Sequence, residues 1–304
     1  MIGLVIWVIV LIVSLFILIK AADYFTDSAE KLGLYFGLTP VIVGATIVAL
    51  GTSIPELATS IVSVIRGSPE IVMGNVIGSN IANILFVLGL AALFSSIVID
   101  FKFHWLDKPM FLISTLILWL FAYFGGIALW EALFLISLYI VYAISVIISK
   151  KTARVKKELS WRVPVFLVMS AIFIYFGAEY VVQAIVNISV IAGFGTDVIA
   201  ASAVALGTSL PEFVVSLTAV RKKNYAMAIG NVIGSNIFNA LMVVGISGLF
   251  LNLPVATKML SLGLPIMTFA AFLLFLMLSR KNITKTQGII LFAIYLLFLW
   301  GLFY

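Results

Sequence analysis

Residues 74–81 read GNVIGSNI, and residues 230–237 read GNVIGSNI again, identical in every letter and 156 positions later. Sliding the chain along itself by that offset also lays ALGTSIPELATS (49–60) over ALGTSLPEFVVS (205–216), with no insertion between the two matches. Further upstream, Asp23-Tyr24 falls on Glu179-Tyr180. Eight identical residues inside a longer ungapped match are not a product of chance, so the chain is an internal duplication. The expected units are residues 1–149, a basic connector over 150–162, and residues 163–304.

Both copies lie in apolar surroundings. Hydrophobic residues make up 64% of the chain and charged residues only 10%, against roughly 25% charged in a soluble domain, so the chain belongs in a bilayer. Apolar runs of about 17–25 residues, enough to span the hydrocarbon layer as helix, occur ten times. They lie near 2–19, 39–64, 71–96, 109–124, 128–149, 163–188, 195–220, 226–250, 259–279 and 286–303. The runs are continuous, whereas barrel strands would alternate polar and apolar residues with period two. The expected fold is therefore all-α and polytopic, with five transmembrane helices per repeat. Because five is odd, the second repeat enters the membrane upside down, and the two polar motifs face each other near the midplane. No Lys or Arg precedes the first run, so it is read as a retained helix and not as a secretory signal.

The basic residues give the orientation. With ten crossings, the loops after helices 1, 3, 5, 7 and 9 share one face. They hold sixteen of the eighteen Lys and Arg residues, leaving only Arg66 and Lys258 on the other. The positive-inside rule makes the sixteen-charge face cytoplasmic and puts both termini outside. The net charge of +6 is thus topogenic: the run KKTARVKK (150–157) follows a membrane helix directly and suits anionic lipid, not nucleic acid. Zero cysteines exclude disulfides and thiolate metal sites.

Within the duplicated motif sit residues that a bilayer penalises. Glu56 and Glu212 occupy equivalent positions inside apolar runs, where a carboxylate costs at least about 2.5 kcal/mol unless paired or solvated. On a helix, Thr52 and Ser53 share a face with Glu56, and Ala49 lies one turn further back; Ser79 and Asn83 are related by i, i+4 on the next helix. The second repeat supplies Thr208, Ser209 and Glu212, then Ser235 and Asn239. All of these polar groups offer oxygen, the donor that hard cations such as calcium take. Pro55 and Pro211 cannot donate a backbone N–H, so kinks are expected that free the carbonyls of Gly51 and Gly207. Irregular backbone of that kind is tolerated in a membrane where it lines a cavity or ion path. Gly74, Gly78, Gly230 and Gly234 have the small-xxx-small spacing of close helix packing.

The paired motifs GTSIPE (51–56) and GTSLPE (207–212), each followed by GNVIGSNI at the same spacing, resemble the alpha repeats of the sodium/calcium exchangers in the calcium/cation antiporter superfamily. The resemblance implies a transporter that carries sodium down its gradient and calcium the other way, with a stoichiometry of three to one. It implies Glu56 and Glu212 as central calcium ligands, with the backbone oxygens of Thr52 and Thr208. It implies sodium sites at Ala49, Thr52, Ser53, Glu56 and Ser79, and at Ala205, Thr208, Ser209, Glu212 and Ser235, with Asn83 and Asn239 as polar groups of the central site. Potassium-dependent relatives carry Asp where this chain has Asn239, so it looks more like the potassium-independent members. A proton-coupled cation antiporter of the same fold is the alternative reading. No cofactor and no obligate protein partner is implied beyond the transported ions and the lipid bilayer, and the expected location is the cell membrane.

The remaining polar residues read as surface. His104, the only histidine, falls in a charged loop and is expected in water; no nucleophile and base constellation suggests an enzyme. Glu131 beside Trp130 resembles an interfacial anchor. Asp23, Asp27, Glu30, Glu179 and Asp197 lie near the ends of membrane segments. Gly33, Gly37 and Gly177 are candidate hinges or helix termini. The kinked helices 2, 3, 7 and 8 are expected to form a fixed core over which helices 1 and 6 slide.

Overall fold

The computed structural model describes residues 2–148, 159–191 and 209–303. The KKTARVKK run and the first part of the seventh expected helix, with Asp197, Ala205, Gly207 and Thr208, lie outside the described residues. Among those described, ten helical segments follow one another: α1 Ile2–Phe36, α2 Pro40–Ile65, α3 Glu70–Phe94, α4 Asp107–Tyr123 and α5 Leu129–Ile148, then α6 Arg162–Ile191, α7 Leu210–Arg221, α8 Tyr225–Gly248, α9 Met259–Met277 and α10 Lys285–Phe303. Eight of them are long and apolar enough to cross a membrane. The others are α4, with 17 residues, and α7, described only from Leu210.

The segments sort into an inner and an outer layer. The most apolar stretch of α8 is 89% buried and that of α3 78%, whereas α1 is 17% and α6 28% buried. In a membrane protein the outer pair meets lipid, which explains exposed Ile12, Phe16, Phe166 and Phe173. α1 and α6 run against each other, with Gly177 of α6 so close to Leu18 that a Cβ there would stand 3.1 Å from the leucine Cβ. Gly177 is thus a packing glycine in mid-helix. α1 has 35 residues, about 50 Å at 1.5 Å per residue, and so outruns the apolar stretch 2–19. Beyond Lys20 it continues because Ala21, Ala22, Phe25 and Ala29 keep one face buried at helical spacing. It stops at Gly37, whose φ of +71° suits the left-handed cap that only glycine adopts freely.

Inside, the repeats cross backbone to backbone. A Cβ on Gly44 of α2 would lie 2.3 Å from the Met227 carbonyl oxygen of α8, one on Gly230 2.3 Å from that of Val41, and one on Gly234 2.4 Å from that of Ala45. The small-residue reading therefore holds for Gly230 and Gly234. For Gly74 and Gly78 the expected partner segment is not among the described residues, and among those nothing lies within 4 Å of a Cβ at either. The repeat offset makes that segment 197–201, the counterpart of 41–45.

His104 also departs from expectation. It is 7% exposed, because the loop before α4 folds inward to cap that helix. Its backbone N–H donates to Asp107 Oδ2 at 2.9 Å, and Tyr142 of α5 donates to Asp107 Oδ1 at 2.9 Å. Trp130, by contrast, is 77% exposed, as an interfacial side chain would be.

Two short pairings tie the repeats together. β1 (Ile97–Val98) pairs antiparallel with β2 (Asn282–Ile283), Ile97 opposite Ile283, and an isolated bridge joins Ile127 to Leu253. Shifted by 156 residues, Ile97 becomes Leu253 and Ile127 becomes Ile283, so the second pairing is the first with the repeats exchanged. The duplication therefore extends through all five helices of each unit. The pairings also respect the parity of ten crossings: the loops after α3 and α9 meet, and so do those after α4 and α8.

Candidate functional site

Three of the core helices, α2, α3 and α8, depart from regular α-helix beside or at their polar residues. A π-helical turn over Gly44–Val48 precedes the Ala49–Ile65 part of α2, which contains Pro55. Further π turns occupy Ala82–Val87 in α3 and Asn239–Val243 in α8. Such turns insert one extra residue per turn and are frequent at functional sites, although α9 carries one too, over Met259–Gly263, away from the carboxylates. Asn83 and Asn239, equivalent in the repeat, both sit in these widened turns.

Glu56 from α2 and Glu212 from α7 are fully buried, as are Thr52, Ser53, Asn83, Ser235 and Asn239, while Ser209 is 1% and Ser79 3% exposed. The two carboxyl groups are within electrostatic reach of each other, and Ser79 stands beside Glu56. Ser53 donates to Glu212 Oε1 at 3.0 Å, a bond between repeats. Thr52 makes a second such bond, 3.3 Å to Asn231 Oδ1, while its hydroxyl also approaches the carbonyls of Val48 at 3.2 Å and Ala49 at 3.3 Å. The structure thus brings together Glu56, Glu212, Thr52, Ser53 and Ala49. It places Ser79, Asn83, Ser209, Ser235 and Asn239 on the same four core segments. Thr208 and Ala205 lie outside the described residues.

What these groups lack is as telling as what they touch. Apart from Ser79 beside Glu56, the carboxylate oxygens of Glu56, Oε2 of Glu212, both polar atoms of Asn83 and of Asn239, and the hydroxyls of Ser209 and Ser235 are buried with no hydrogen-bond partner among the described residues. Each such atom costs about 1–3 kcal/mol, more if charged, so a cluster of them is retained only where something else satisfies them. Among the described residues, no Lys or Arg is buried to serve as counter-charge. No group of three or more His, Cys, Asp or Glu side chains is found among the described residues; the donors are hydroxyl, amide, carbonyl and carboxylate oxygen. That set fits hard cations and not the nitrogen or sulfur ligation of zinc or copper.

Sequence reasoning missed a supporting layer. Asn75 donates to Ser60 Oγ at 3.3 Å and to the Glu56 carbonyl at 3.4 Å, and its counterpart Asn231 donates to Ser216 Oγ at 2.9 Å. Asn80 donates to the Asn236 carbonyl at 3.2 Å, across the repeats. The signal was present, since these asparagines lie within GNVIGSNI, but an asparagine that orients a neighbour looks the same in sequence as one that ligates.

Two inverted five-helix repeats, each delivering one buried carboxylate to a shared oxygen-lined site at membrane depth, define an inverted-repeat cation transporter. The family model described as "Sodium/calcium exchanger protein" matches the chain twice, over residues 6–148 and 162–304. The sodium/calcium exchanger MaX1 of Methanosarcina acetivorans is 32% identical, covering 97% of this chain and 98% of its own. The inner membrane protein YrbG of Escherichia coli is 26% identical, covering 92% and 90%. A solved structure of the sodium-calcium exchanger NCX_Mj superposes with a TM-score of 0.84 at 30% identity, covering 98% of this chain and 99% of that one. The chain belongs to the sodium/calcium exchanger family.

Proposed function

We propose that the chain exchanges sodium for calcium across the cell membrane by alternating access, with Glu56 and Glu212 at the centre of the ion site. The observation that carries this reading is the pair of fully buried carboxylates, one from each repeat, with oxygens around them that have no partner, and no buried Lys or Arg, among the described residues. Two ionised carboxylates supply a charge of −2, which one calcium ion neutralises. Two sodium ions do the same, and a third leaves the loaded site at +1, so three-for-one exchange is electrogenic. Calcium takes Glu56, Glu212 and the backbone oxygens of Thr52 and Thr208. Sodium takes the flanking positions at Ala49, Ser53 and Ser79, and at Ala205, Ser209 and Ser235. Asn83 and Asn239 offer amide oxygen between them, without the charge an Asp would add. The termini face outward and the basic loops face the cytoplasm.

The test is calcium uptake into vesicles holding the purified protein, loaded with sodium and diluted into sodium-free medium, beside vesicles loaded with potassium or given only a pH gradient. Uptake from the sodium-loaded vesicles alone is expected. Uptake driven by the pH gradient would move the protein to proton coupling, and equal uptake in all three would mark a channel.

A further inference from the structure

Outside the ion site, one cluster joins the outer layer to the core. Lys222, at the end of α7, places Nζ 2.8 Å from Asp27 Oδ1 and 3.6 Å from Asp23 Oδ1 on α1; it also donates to the Asp23 carbonyl at 2.9 Å and to Thr26 Oγ1 at 3.1 Å. A lone exposed ion pair is worth little, but this ammonium is held by several acceptors at once and its side chain is only 32% exposed.

The repeat supplies a second copy of the same parts. Lys222, shifted by 156, is Arg66 at the end of α2; Asp23 becomes Glu179, and Asp27 becomes Gln183, both on α6. The turns presenting the two cations are built alike. Lys222 N–H bonds the Thr218 carbonyl, Lys223 that of Val220 and Asn224 that of Ala219; Arg66 N–H bonds Val62, Gly67 bonds Val64 and Ser68 bonds Ser63, each the 156-residue counterpart. Even the left-handed residue is shared, with φ of +60° at Lys223 and +77° at Gly67. Yet no ion pair joins Arg66 to Glu179 among the described residues: both are exposed, and Glu179 instead accepts from Gln183 at 2.9 Å.

We infer that Lys222 with Asp23 and Asp27, and Arg66 with Glu179, are reciprocal latches on opposite membrane faces, one closed whenever the other is open. The inference rests on the alternating-access part of the proposed function. In an inverted repeat the opposite-facing state is the present one with the two halves exchanging conformations, so Arg66 then stands to α6 as Lys222 now stands to α1. The latches are unequal: Gln183 lacks the charge of Asp27, and Val182 lacks the hydroxyl of Thr26. The Lys222 latch is therefore the stronger of the two, and it is the one closed in this structure.

The absence of native cysteine makes the test direct. Asp23→Cys with Lys222→Cys, and Glu179→Cys with Arg66→Cys, are treated with a short bifunctional thiol reagent in membranes, without any ion gradient. Expected is ready cross-linking of the first pair, slower cross-linking of the second, and at least about a tenfold loss of the second in a four-cysteine protein whose first pair has already reacted. Failure of the Arg66 and Glu179 positions to cross-link while the protein transports, or both cross-links in the same molecules, overturns the proposal. As a second measurement, Lys222→Gln in the Arg66 and Glu179 cysteine background is expected to speed that cross-link about two- to fivefold, on the scale of a partly exposed ion pair. Lys222→Arg restores the slower rate, and no change with Lys222→Gln counts against the latch. Because cross-linking is read without sodium or calcium, it stands or falls separately from the coupling ions measured by vesicle uptake.

Discussion

The hydroxyl of Ser53 in the first repeat donates to Glu212 Oε1 in the second across 3.0 Å. It is a bond between the two halves at the point where their carboxylates converge, and it occupies Oε1 of Glu212, leaving Oε2 with no hydrogen-bond partner among the described residues. Ser53→Ala removes that orientation without altering charge. The expected result is roughly a tenfold loss of calcium affinity by titration calorimetry, the scale of one hydrogen bond to a charged group. An unchanged affinity would remove Ser53 from the site.

Neutralising either carboxylate separates binding from folding. Glu56→Gln and Glu212→Gln are each expected to abolish calcium uptake in vesicles, because one remaining charge cannot balance a divalent ion at membrane depth. The same variants should be at least as heat-stable as the parent when free of ions, since an unpaired buried carboxylate is a cost to the empty protein. Calcium should raise the melting temperature of the parent but not of the variants. A variant still stabilised by calcium would show that its glutamate is dispensable.

The crossing of α2 and α8 admits no side chain. Gly230→Ala puts a methyl 2.3 Å from the Val41 carbonyl oxygen, and the shift it forces is expected to cost about 1–3 kcal/mol, read as a fall in melting temperature. Gly74→Ala is the matched comparison, since the 156-residue offset makes 197–201 its expected partner. Equal losses would mean that the two motifs pack alike.

Exchange of three sodium ions for one calcium moves one net charge per cycle. Clamping the vesicle potential with a potassium ionophore should therefore alter the uptake rate, with up to ~2.3 kcal/mol per charge available for each 100 mV. Voltage-independent uptake would point to neutral exchange.

Carboxylates also bind protons, and a protonated Glu56 or Glu212 cannot neutralise an ion. Calcium uptake should fall as the pH is lowered between about 8 and 5, with added calcium restoring part of the loss through competition. A flat profile would show that the pair does not titrate in that interval.

Much of the architecture was legible because its signals are repeated. Ten apolar runs and one offset of 156 residues fix the helix order and the inversion, and the same offset relates the Ile97 and Leu253 pairings that no motif marks. The ion-site candidates Glu56 and Glu212 were legible because charge is rare at membrane depth. The π turns at Asn83 and Asn239 were not, since nothing in ANILFV or NALMV separates a widened turn from ordinary helix. Nor was the burial of His104, which depends on a carboxylate at Asp107 and a hydroxyl at Tyr142 that sequence places 35 residues apart. Lys222 reads as a topogenic charge until the structure brings α1 beside it.

The reciprocal pairings of Ile97 with Ile283 and Leu253 with Ile127 bear on how the chain is made. The first repeat emerges from the ribosome with its β1 edge unpaired, and its partner Ile283 follows 186 residues later. Neither half can complete its own loops, so a chain truncated before β2 would leave β1 open on one face of the bilayer, whereas two separately synthesised halves would still find each other by trading these strands.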